Sequence, residues 1–358
     1  MKRRPSPRLS RRSLLAGTGA VAAGLALRPR FALSAEEAKL NFYNWDTYIG
    51  ETTLDDFHQA SGIEVIMDLF GDNDELFAKL REGNPGYDVI VPTNDFVERM
   101  ISADMLSELD HSLIPNIANL DPAFADAAFD PGRRYSMPYM WGTMGIGYRK
   151  SRVDGVPDSW KWLYDSDAYS GRIALLSEST NVIQMAAKYL GYPLNTATPE
   201  VIAEVEALII RQKPHIKVFA EDNGQDLLLS GEVDLTLEWS GDILQVMEED
   251  DDISYVVPSE GGLVWQDTLC IPNDAPHPQN AHSFIDYILD AEAGAAIAEF
   301  IYYGSPNAAA RELLPDDYNN HPAIFPSAEI LAKCEPAIYQ GLEVTRRYEE
   351  AWTRIQAA

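Results

Sequence analysis

The stretch that decides the fold is YSMPYMWGTMGIGYRK, residues 135–150, a long aromatic, methionine- and glycine-rich run without a helical period. Such a run is typical of one long strand. Its glycines, Gly142, Gly145 and Gly147, allow neighbouring backbones to approach closely or the strand to flex. The lone Gly-Ile-Gly is not a dinucleotide-binding fingerprint, because no third glycine and helix follow it. We predict that this strand crosses from one lobe of the protein to another, with the boundary near residue 143.

Around this segment, short apolar runs alternate with amphipathic stretches, which indicates parallel α/β sheets. The predicted strands cover residues 40–44, 64–70, 88–92, 173–176, 216–220, 234–239, 254–257 and 263–271. The predicted helices cover residues 53–60, 73–81, 182–190, 199–211, 243–248, 282–300 and 327–358. A second crossing is expected around residues 266–269. Two α/β lobes joined by crossing strands predict a ligand cleft between the lobes, at the carboxyl ends of strands.

The first 35 residues have the composition of an export signal. SRRSLL (residues 10–15) carries paired arginines, and an apolar run over residues 14–27 follows it. That run is too short to span a bilayer. Residues 1–35 are therefore predicted to be a twin-arginine signal peptide, cleaved after Ser34 or Ala35. We expect an exported, periplasmic protein.

The net charge of the chain limits the classes of partner that it can bind. The sequence contains 28 Lys and Arg against 56 Asp and Glu. Eight of the basic residues and no acid lie in residues 1–35, which leaves 20 basic against 56 acidic residues and a formal net charge of −36. Such a surface repels phosphates, so nucleic acid is excluded as a partner. The charge favours capture of cations, but a salt-adapted organism would give any secreted protein the same composition.

The residues typical of catalysis and metal binding form no recognisable pattern. The six histidines are scattered, and neither HExxH nor GxSxG occurs. The two cysteines, Cys270 and Cys334, can pair in an oxidising compartment or remain free thiols. We therefore predict no enzyme activity, no catalytic residues, no metal site and no cofactor.

Tryptophans near the ends of predicted strands are each followed within three residues by an acid. The pairs are Trp45 with Asp46, Trp239 with Asp242, and Trp265 with Asp267. An acid within an apolar strand, such as Asp267 in WQDTL, needs a partner. Other interpretations remain open: the tryptophans can be core residues, Asp242 can cap a helix that begins at Ile243, and Asp46 can be a solvated loop acid.

Six motifs, in order and at plausible spacing, resemble those of the periplasmic spermidine/putrescine-binding proteins of ABC importers. They are NFYNWDTYI, YDVIVPT, YSMPYMWGTMGIG, VDLTLEWSGD, GGLVWQDTLCIP and YYGSPNAAARELL, and the likeness runs from about residue 39 to 315. The resemblance implies a two-lobe, type II-like periplasmic-binding-protein fold. Residues 38–143 and about 267–311 are expected to form lobe 1, and residues 144–266 and about 312–358 lobe 2. It also implies a polyamine ligand, a permease and an ATPase in the inner membrane as partners, and a monomer.

The resemblance also implies which residues bind the ligand. They are Trp45, Asp46, Tyr48, Thr93, Glu178, Trp239, Asp242, Trp265, Asp267 and Tyr303. Two positions depart from the family pattern. Asn181 stands where spermidine binders tend to have a glutamate, and Asp95 stands near a usual tyrosine or serine. Asp242 together with Asn181 favours a diamine.

The chemistry of a polyamine suits these residue types. Each ammonium offers donors and no acceptor, so a carboxylate must meet it when it leaves water. Aromatic faces cover the methylenes and attract the neighbouring cation by ~0.5–2 kcal/mol per contact. A receptor for another amine, a sugar or ferric ion on the same architecture is the alternative. Sugar binding would not require buried W-x-D acids, and iron would need clustered hard oxygen ligands.

Overall fold

The computed structural model describes residues 36–358, so the predicted export signal and its cleavage point lie outside the described residues. The strands are β1 (Lys39–Asn44), β2 (Glu64–Leu69), β3 (Val89–Ile90), β4 (Ser136–Arg149), β5 (Ile173–Leu176), β6 (Ile216–Ala220), β7 (Leu235–Trp239), β8 (Ile253–Val256) and β9 (Val264–Cys270). The helices are α1 (Thr53–Ser61), α2 (Asn73–Arg81), α3 (Asn94–Ser102), α4 (Lys161–Tyr164), α5 (Ser179–Tyr189), α6 (Pro199–Gln212), α7 (Gly224–Leu229), α8 (Ser240–Glu249), α9 (Pro278–Ile288), α10 (Ala291–Ile301), α11 (Ala308–Arg311), α12 (Asp316–Asn319), α13 (Ala328–Leu331) and α14 (Leu342–Ala357).

The strands pair in the order β2-β1-β3-β9-β4-β7-β5-β6, and β8 also pairs with β4. Two groups are parallel: β1 lies between β2 and β3, and β5 lies between β6 and β7. The strands β9 and β4 join these groups through antiparallel pairs, and β8 pairs antiparallel with β4. The expectation of parallel sheets is therefore right for each group and wrong for the strands that connect them.

The long strand β4 changes partners along its length. Residues 136–143 pair with β9, whereas residues 144–149 pair with β7 and β8. Two of its glycines are required by close packing, since a Cβ at Gly145 would lie 2.5 Å from the Val256 carbonyl oxygen, and one at Gly147 would lie 2.5 Å from Ile243 Cδ1. The change of partners falls where the sequence predicts the lobe boundary. The full assignment of the chain to two lobes, by residue number, stays a prediction.

Helices cover the central strand of each parallel group, β1 in one and β5 in the other. Phe42 of β1 packs against Phe284 of α9, with ring centroids 5.1 Å apart, and Phe57 of α1 contacts the same ring at 5.1 Å. In the other group all four residues of β5 are buried, and α5 and α7 pack against this strand. Burying a side chain of this size contributes about 1.5–3 kcal/mol, so these apolar runs hold the strand ends in place around the cleft.

Helix boundaries differ from the prediction where local polar residues intervene. The expected helix over residues 282–300 is two helices, because the Asp290 side chain accepts hydrogen bonds from the N–H groups of Glu292 and Ala293 and so begins α10. The helix α3 was not predicted, since its apolar positions Val97 and Met100 are interspersed with charged residues.

The C-terminal prediction of one continuous helix from residue 327 is wrong. The helix α13 ends at Leu331, and α14 begins only after Gly341, whose φ is +90°. Between them, Pro336 lacks the N–H that a helix needs. Residues 335–339, which we call the connecting segment, lie between α3 and the loop before α6.

The connecting segment is held from both sides by hydrogen bonds. On one side, Asn94 Nδ2 donates to the Ala337 carbonyl at 2.7 Å, and Glu98 Oε2 accepts from the Tyr339 N–H at 2.9 Å. On the other side, the amide of Asn195 donates to the Pro336 carbonyl at 3.0 Å and accepts from the N–H of residue 338 at 3.1 Å. The segment therefore ties α3 to the part of the chain that carries α5 and α6.

Both cysteines, Cys270 and Cys334, are free thiols, and Cys270 is buried in β9.

Among residues 36–358, no helix combines the length and the apolar character that crossing a bilayer requires.

Candidate functional site

Two adjoining cavities lie where β1, β3, β6 and β7 end. The smaller cavity, of about 40 Å³, is lined by Trp45, Asp46, Tyr48, Thr93, Asp222, Trp239, Asp242, Trp265, Asp267 and Tyr303. The larger cavity, of about 230 Å³, shares Thr93, Trp239 and Trp265 with it and extends to Glu178 and Asn181. The structure thus brings nine of the ten predicted ligand residues to one cavity and places Glu178 in its neighbour. The tenth residue of the smaller cavity, Asp222, was not predicted.

Asp267 is the acid most firmly oriented toward the smaller cavity. It lies in the middle of β9 and is 6% exposed. Thr93 Oγ1 donates to its Oδ1 at 2.7 Å and accepts in turn from Asn73 Nδ2 at 2.9 Å. Burial raises the pKa of Asp267 to about 7, while the hydrogen bond from Thr93 lowers it. The carboxyl is held in place, and the charged neighbours that act on its pKa are acids, Asp95 and Asp222.

Aromatic rings form the walls of the smaller cavity by edge-to-face packing. The centroids of Trp239 and Trp265 are 5.7 Å apart, those of Trp265 and Tyr303 are 5.2 Å apart, and those of Tyr303 and Tyr48 are 5.1 Å apart. Trp45 is fixed separately, because its Nε1 donates to the Val91 carbonyl at 2.9 Å. Within residues 36–358, the buried Trp265 Nε1 and Tyr48 Oη have no hydrogen-bond partner, which is unusual for buried polar atoms.

Asp242 lies in the first turn of α8. The helix begins at Ser240, so the interpretation of Asp242 as a cap before Ile243 is wrong. The Asp242 N–H donates to the Tyr303 hydroxyl at 3.2 Å. Gly241 makes this contact possible, since a Cβ there would overlap the Tyr303 ring. Burial first, and then the charge of Asp222, raises the pKa of Asp242 well above its ordinary value.

Asp222, Glu238 and Asp242 form a compact group that we call the acid triad. One carboxylate oxygen from each lies within 4.8 Å of the others. Asp222 follows β6, and burial raises its pKa to about 6. Glu238 belongs to β7 and is fully buried, and burial raises its pKa well above the ordinary range. Its Oε1 accepts from the Trp239 N–H at 3.1 Å, while Oε2 has no partner.

The remaining acids lie toward the larger cavity or at the rim. Glu178 precedes α5 and accepts a hydrogen bond from Asn181, and burial raises its pKa well above the ordinary value. Asp95 lines the same cavity, and burial raises its pKa to about 6. Asp46 is exposed, with its Oδ1 accepting from the Thr47 N–H at 2.9 Å. Both positions that depart from the family pattern therefore face the larger cavity.

The arrangement suits an organic cation. Buried carboxyls without a counter-ion attract positive charge, and aromatic faces favour a cation that carries apolar groups. Although three converging oxygens can also surround a metal ion, a hydrated metal gains little from tryptophan walls, whereas the methylenes of an alkyl ammonium are covered by them.

The pKa of Asp267 predicts how the ligand-free protein responds to pH. Its folded-state pKa of about 7 exceeds the ordinary value of 3.8, so the folded protein binds this proton more tightly than the unfolded chain. The stability that the carboxyl contributes is complete below about pH 4 and is lost as pH rises through 7. We expect Asp267→Asn to raise the free energy of unfolding at pH 7.5 and to lose most of that advantage at pH 5. Urea titrations at both pH values measure this, and an equal effect at the two would contradict it.

Two α/β groups that enclose a cavity for a small solute define a solute-binding protein. The sequence pattern of the bacterial extracellular solute-binding protein family matches residues 52–326. The chain belongs to this family, and the two-lobe fold expected from the sequence is confirmed.

Named relatives cover nearly the whole chain. The spermidine/putrescine-binding periplasmic protein of Escherichia coli K12 is 33% identical over 338 residues, which is 94% of this chain and 97% of that protein. A putrescine/agmatine-binding protein of Pseudomonas aeruginosa PAO1 is 32% identical over 96% of this chain and 97% of its own. A solved structure described as a putative spermidine/putrescine ABC transporter from Listeria monocytogenes has a TM-score of 0.85 at 31% identity, and the match covers 89% of this chain and 99% of that one.

Proposed function

We propose that this protein captures a polyamine outside the cytoplasmic membrane and delivers it to an ABC importer. The observation that carries the proposal is the enclosure of Asp267, Asp242 and Asp222 by tryptophan and tyrosine faces. A neutral solute would leave these buried carboxyls without a partner, whereas an alkyl ammonium satisfies the carboxyls and the rings together. The relatives named as spermidine/putrescine- and putrescine/agmatine-binding proteins support the same ligand class.

The ten predicted residues act on different parts of such a ligand. One ammonium meets Asp267, whose second partner is the Thr93 hydroxyl. The methylenes lie against Trp45, Tyr48, Trp239, Trp265 and Tyr303. A second ammonium meets Asp242, with Asp46 at the rim, and Glu178 receives the part of a longer amine that reaches the larger cavity.

Ligand capture proceeds by closure of two lobes. We assign residues 38–143 and about 267–311 to one lobe and residues 144–266 and about 312–358 to the other. Asp267 and Asp242 then belong to opposite lobes, so an amine that bridges them stabilises the closed form. The closed surface is what the permease recognises, and the associated ATPase drives import. We place the monomeric protein in the periplasm, after export by the twin-arginine route.

The choice among amines depends on the larger cavity. Asn181 stands where spermidine binders tend to have a glutamate, and its amide donates a hydrogen bond to Glu178. The loss of one charge there favours a diamine over a triamine, because a third ammonium would meet one carboxylate fewer.

Calorimetry with putrescine, cadaverine, spermidine and butane-1,4-diol tests the proposal. We expect heat of binding with the amines and none with the diol, which matches the length of putrescine without its charge. A stronger response to the diol, or to ferric citrate, than to every amine would end the proposal.

A further inference from the structure

We propose that amine binding releases about one proton from the protein near neutral pH, and that Glu238, behind the cavity wall, controls this release as a positioning residue. The inference rests on the proposed function. Glu238 is not among the residues that line either cavity. It acts through Asp222 and Asp242, which line the smaller one.

The first support is the geometry of the acid triad. Its three carboxyls converge within 4.8 Å, with Glu238 fully buried and Asp242 8% exposed. Three ionised carboxylates so close together and so poorly hydrated repel one another strongly, so they titrate as one coupled system that retains protons at neutral pH. The raised pKa of each member agrees with this.

The second support is the charge of the surroundings. The charged groups that act most strongly on the triad are all acids, contributed by several elements: Asp226 of α7, Asp267 of β9, Asp46 after β1 and Asp72 before α2. Neutral donors also face the triad, namely the Trp239 side chain on Asp222, the Tyr303 hydroxyl on Asp242, and the Trp239 N–H on Glu238. These donors offset only part of the negative charge of the acid triad. Bound protons therefore neutralise the rest of that charge until a cationic ligand binds.

The third support comes from buried polar atoms without partners. Glu238 Oε2 is one of them, and a Cβ at Gly224 would overlap it, so glycine is what leaves room for this oxygen. Two others, Tyr48 Oη and Trp265 Nε1, belong to residues that line the same small cavity as Asp222 and Asp242 and are 5% and 4% exposed. The unpartnered oxygen of Glu238 can hold a proton, and the Tyr48 oxygen can accept a hydrogen bond from an ammonium, whereas the Trp265 N–H can only donate.

The step is a displacement of one cation by another. The ligand enters as an alkyl ammonium, and its charge meets the carboxylates of Asp222 and Asp242. The added positive charge lowers the proton affinity of the triad, and one proton leaves for solvent. The amine keeps its own protons, so the balance is one ammonium bound and one hydrogen ion released. Glu238 sets the number of protons released, because its carboxyl can ionise only when the positive charge of that ammonium is nearby.

Calorimetry in buffers of different ionisation enthalpy counts the protons. Putrescine is titrated into the protein at pH 7 in phosphate and in Tris, and the difference between the observed heats gives the number released. We expect about one proton for the wild-type protein and about half that number for Glu238→Gln, the remainder coming from Asp267, whose pKa is about 7. Asp267 also titrates near this pH. The difference in proton count between the wild type and Glu238→Gln therefore identifies the protons that the triad releases.

The matched control is Glu248→Gln, the same change at an exposed position of α8, which should release as many protons as the wild type. Asp222→Asn provides a second test of the triad if Glu238→Gln does not fold, and it should lower the count similarly. Heats that do not differ between buffers, or a count unchanged in the triad variants, would overturn the inference while leaving amine binding intact. Absence of heat with every amine in both buffers would instead overturn the proposed function, and the inference with it.

Discussion

Asp267→Asn is expected to weaken putrescine binding by about 2–5 kcal/mol, the usual cost of removing one partner from a buried hydrogen-bonded charge pair. This corresponds to a loss of affinity between roughly thirtyfold and several thousandfold. The asparagine can still accept the hydrogen bond from Thr93, so the loss reports the missing charge. Calorimetry at pH 7 measures it directly.

Asp55→Asn serves as the control for this experiment. Asp55 is exposed on α1 and lines neither cavity, so its removal should change affinity by less than about twofold, as expected for a screened surface charge. Wild-type affinity in Asp267→Asn would remove this carboxyl from the site and leave the proposed ligand geometry without its main anchor.

Gly241→Ala is expected to lower amine affinity by at least about tenfold and to reduce stability by about 1–3 kcal/mol, the usual cost of overpacking. The new Cβ would overlap the Tyr303 ring. That ring cannot retreat freely, because Tyr48 and Trp265 pack against it at 5.1 and 5.2 Å. Its displacement also breaks the hydrogen bond to the Asp242 N–H.

The same added methyl group at Gly71 is the comparison for this variant. There a Cβ would lie 3.7 Å from Glu75 Oε2, which is ordinary contact, so binding and the unfolding midpoint should both stay at wild-type values. Thermal unfolding and calorimetry on both variants separate packing from a general glycine effect. Unchanged affinity in Gly241→Ala would show that Tyr303 does not shape the site.

Much of the fold could be predicted because the decisive signals are local. The strands β5 and β6 have the predicted bounds, since each is a short apolar run between polar residues. The long strand β4 was predicted from its aromatic and glycine content. The antiparallel placement of β9 between β3 and β4 could not be predicted in the same way, because it depends on contacts between residues far apart in the chain.

Site residues could be predicted where a charged side chain stands among apolar residues in the sequence. Asp267 is an acid within an apolar strand, and the structure brings it to Trp45 and Trp239 at the cavity. Glu238 carries the same signal within VDLTLEW, but its position behind the wall depends on the packing of Gly224. Asp222 follows β6 in an acid-rich loop, where one more acid is not conspicuous.

The connecting segment is a place outside the ligand cavity where the proposed opening and closure of the lobes can be detected. In the closure that we propose, opening of the lobes breaks the hydrogen bond that Asn94 donates to Ala337 and the one that the Tyr339 N–H donates to Glu98, since α3 and Asn195 hold the segment from opposite sides. Ile338, which is 50% exposed, is therefore the position at which an attached fluorophore would change its environment when the solute is captured. With Cys334 replaced and Cys270 protected by burial, the protein becomes a scaffold for an optical sensor whose dye never touches the analyte.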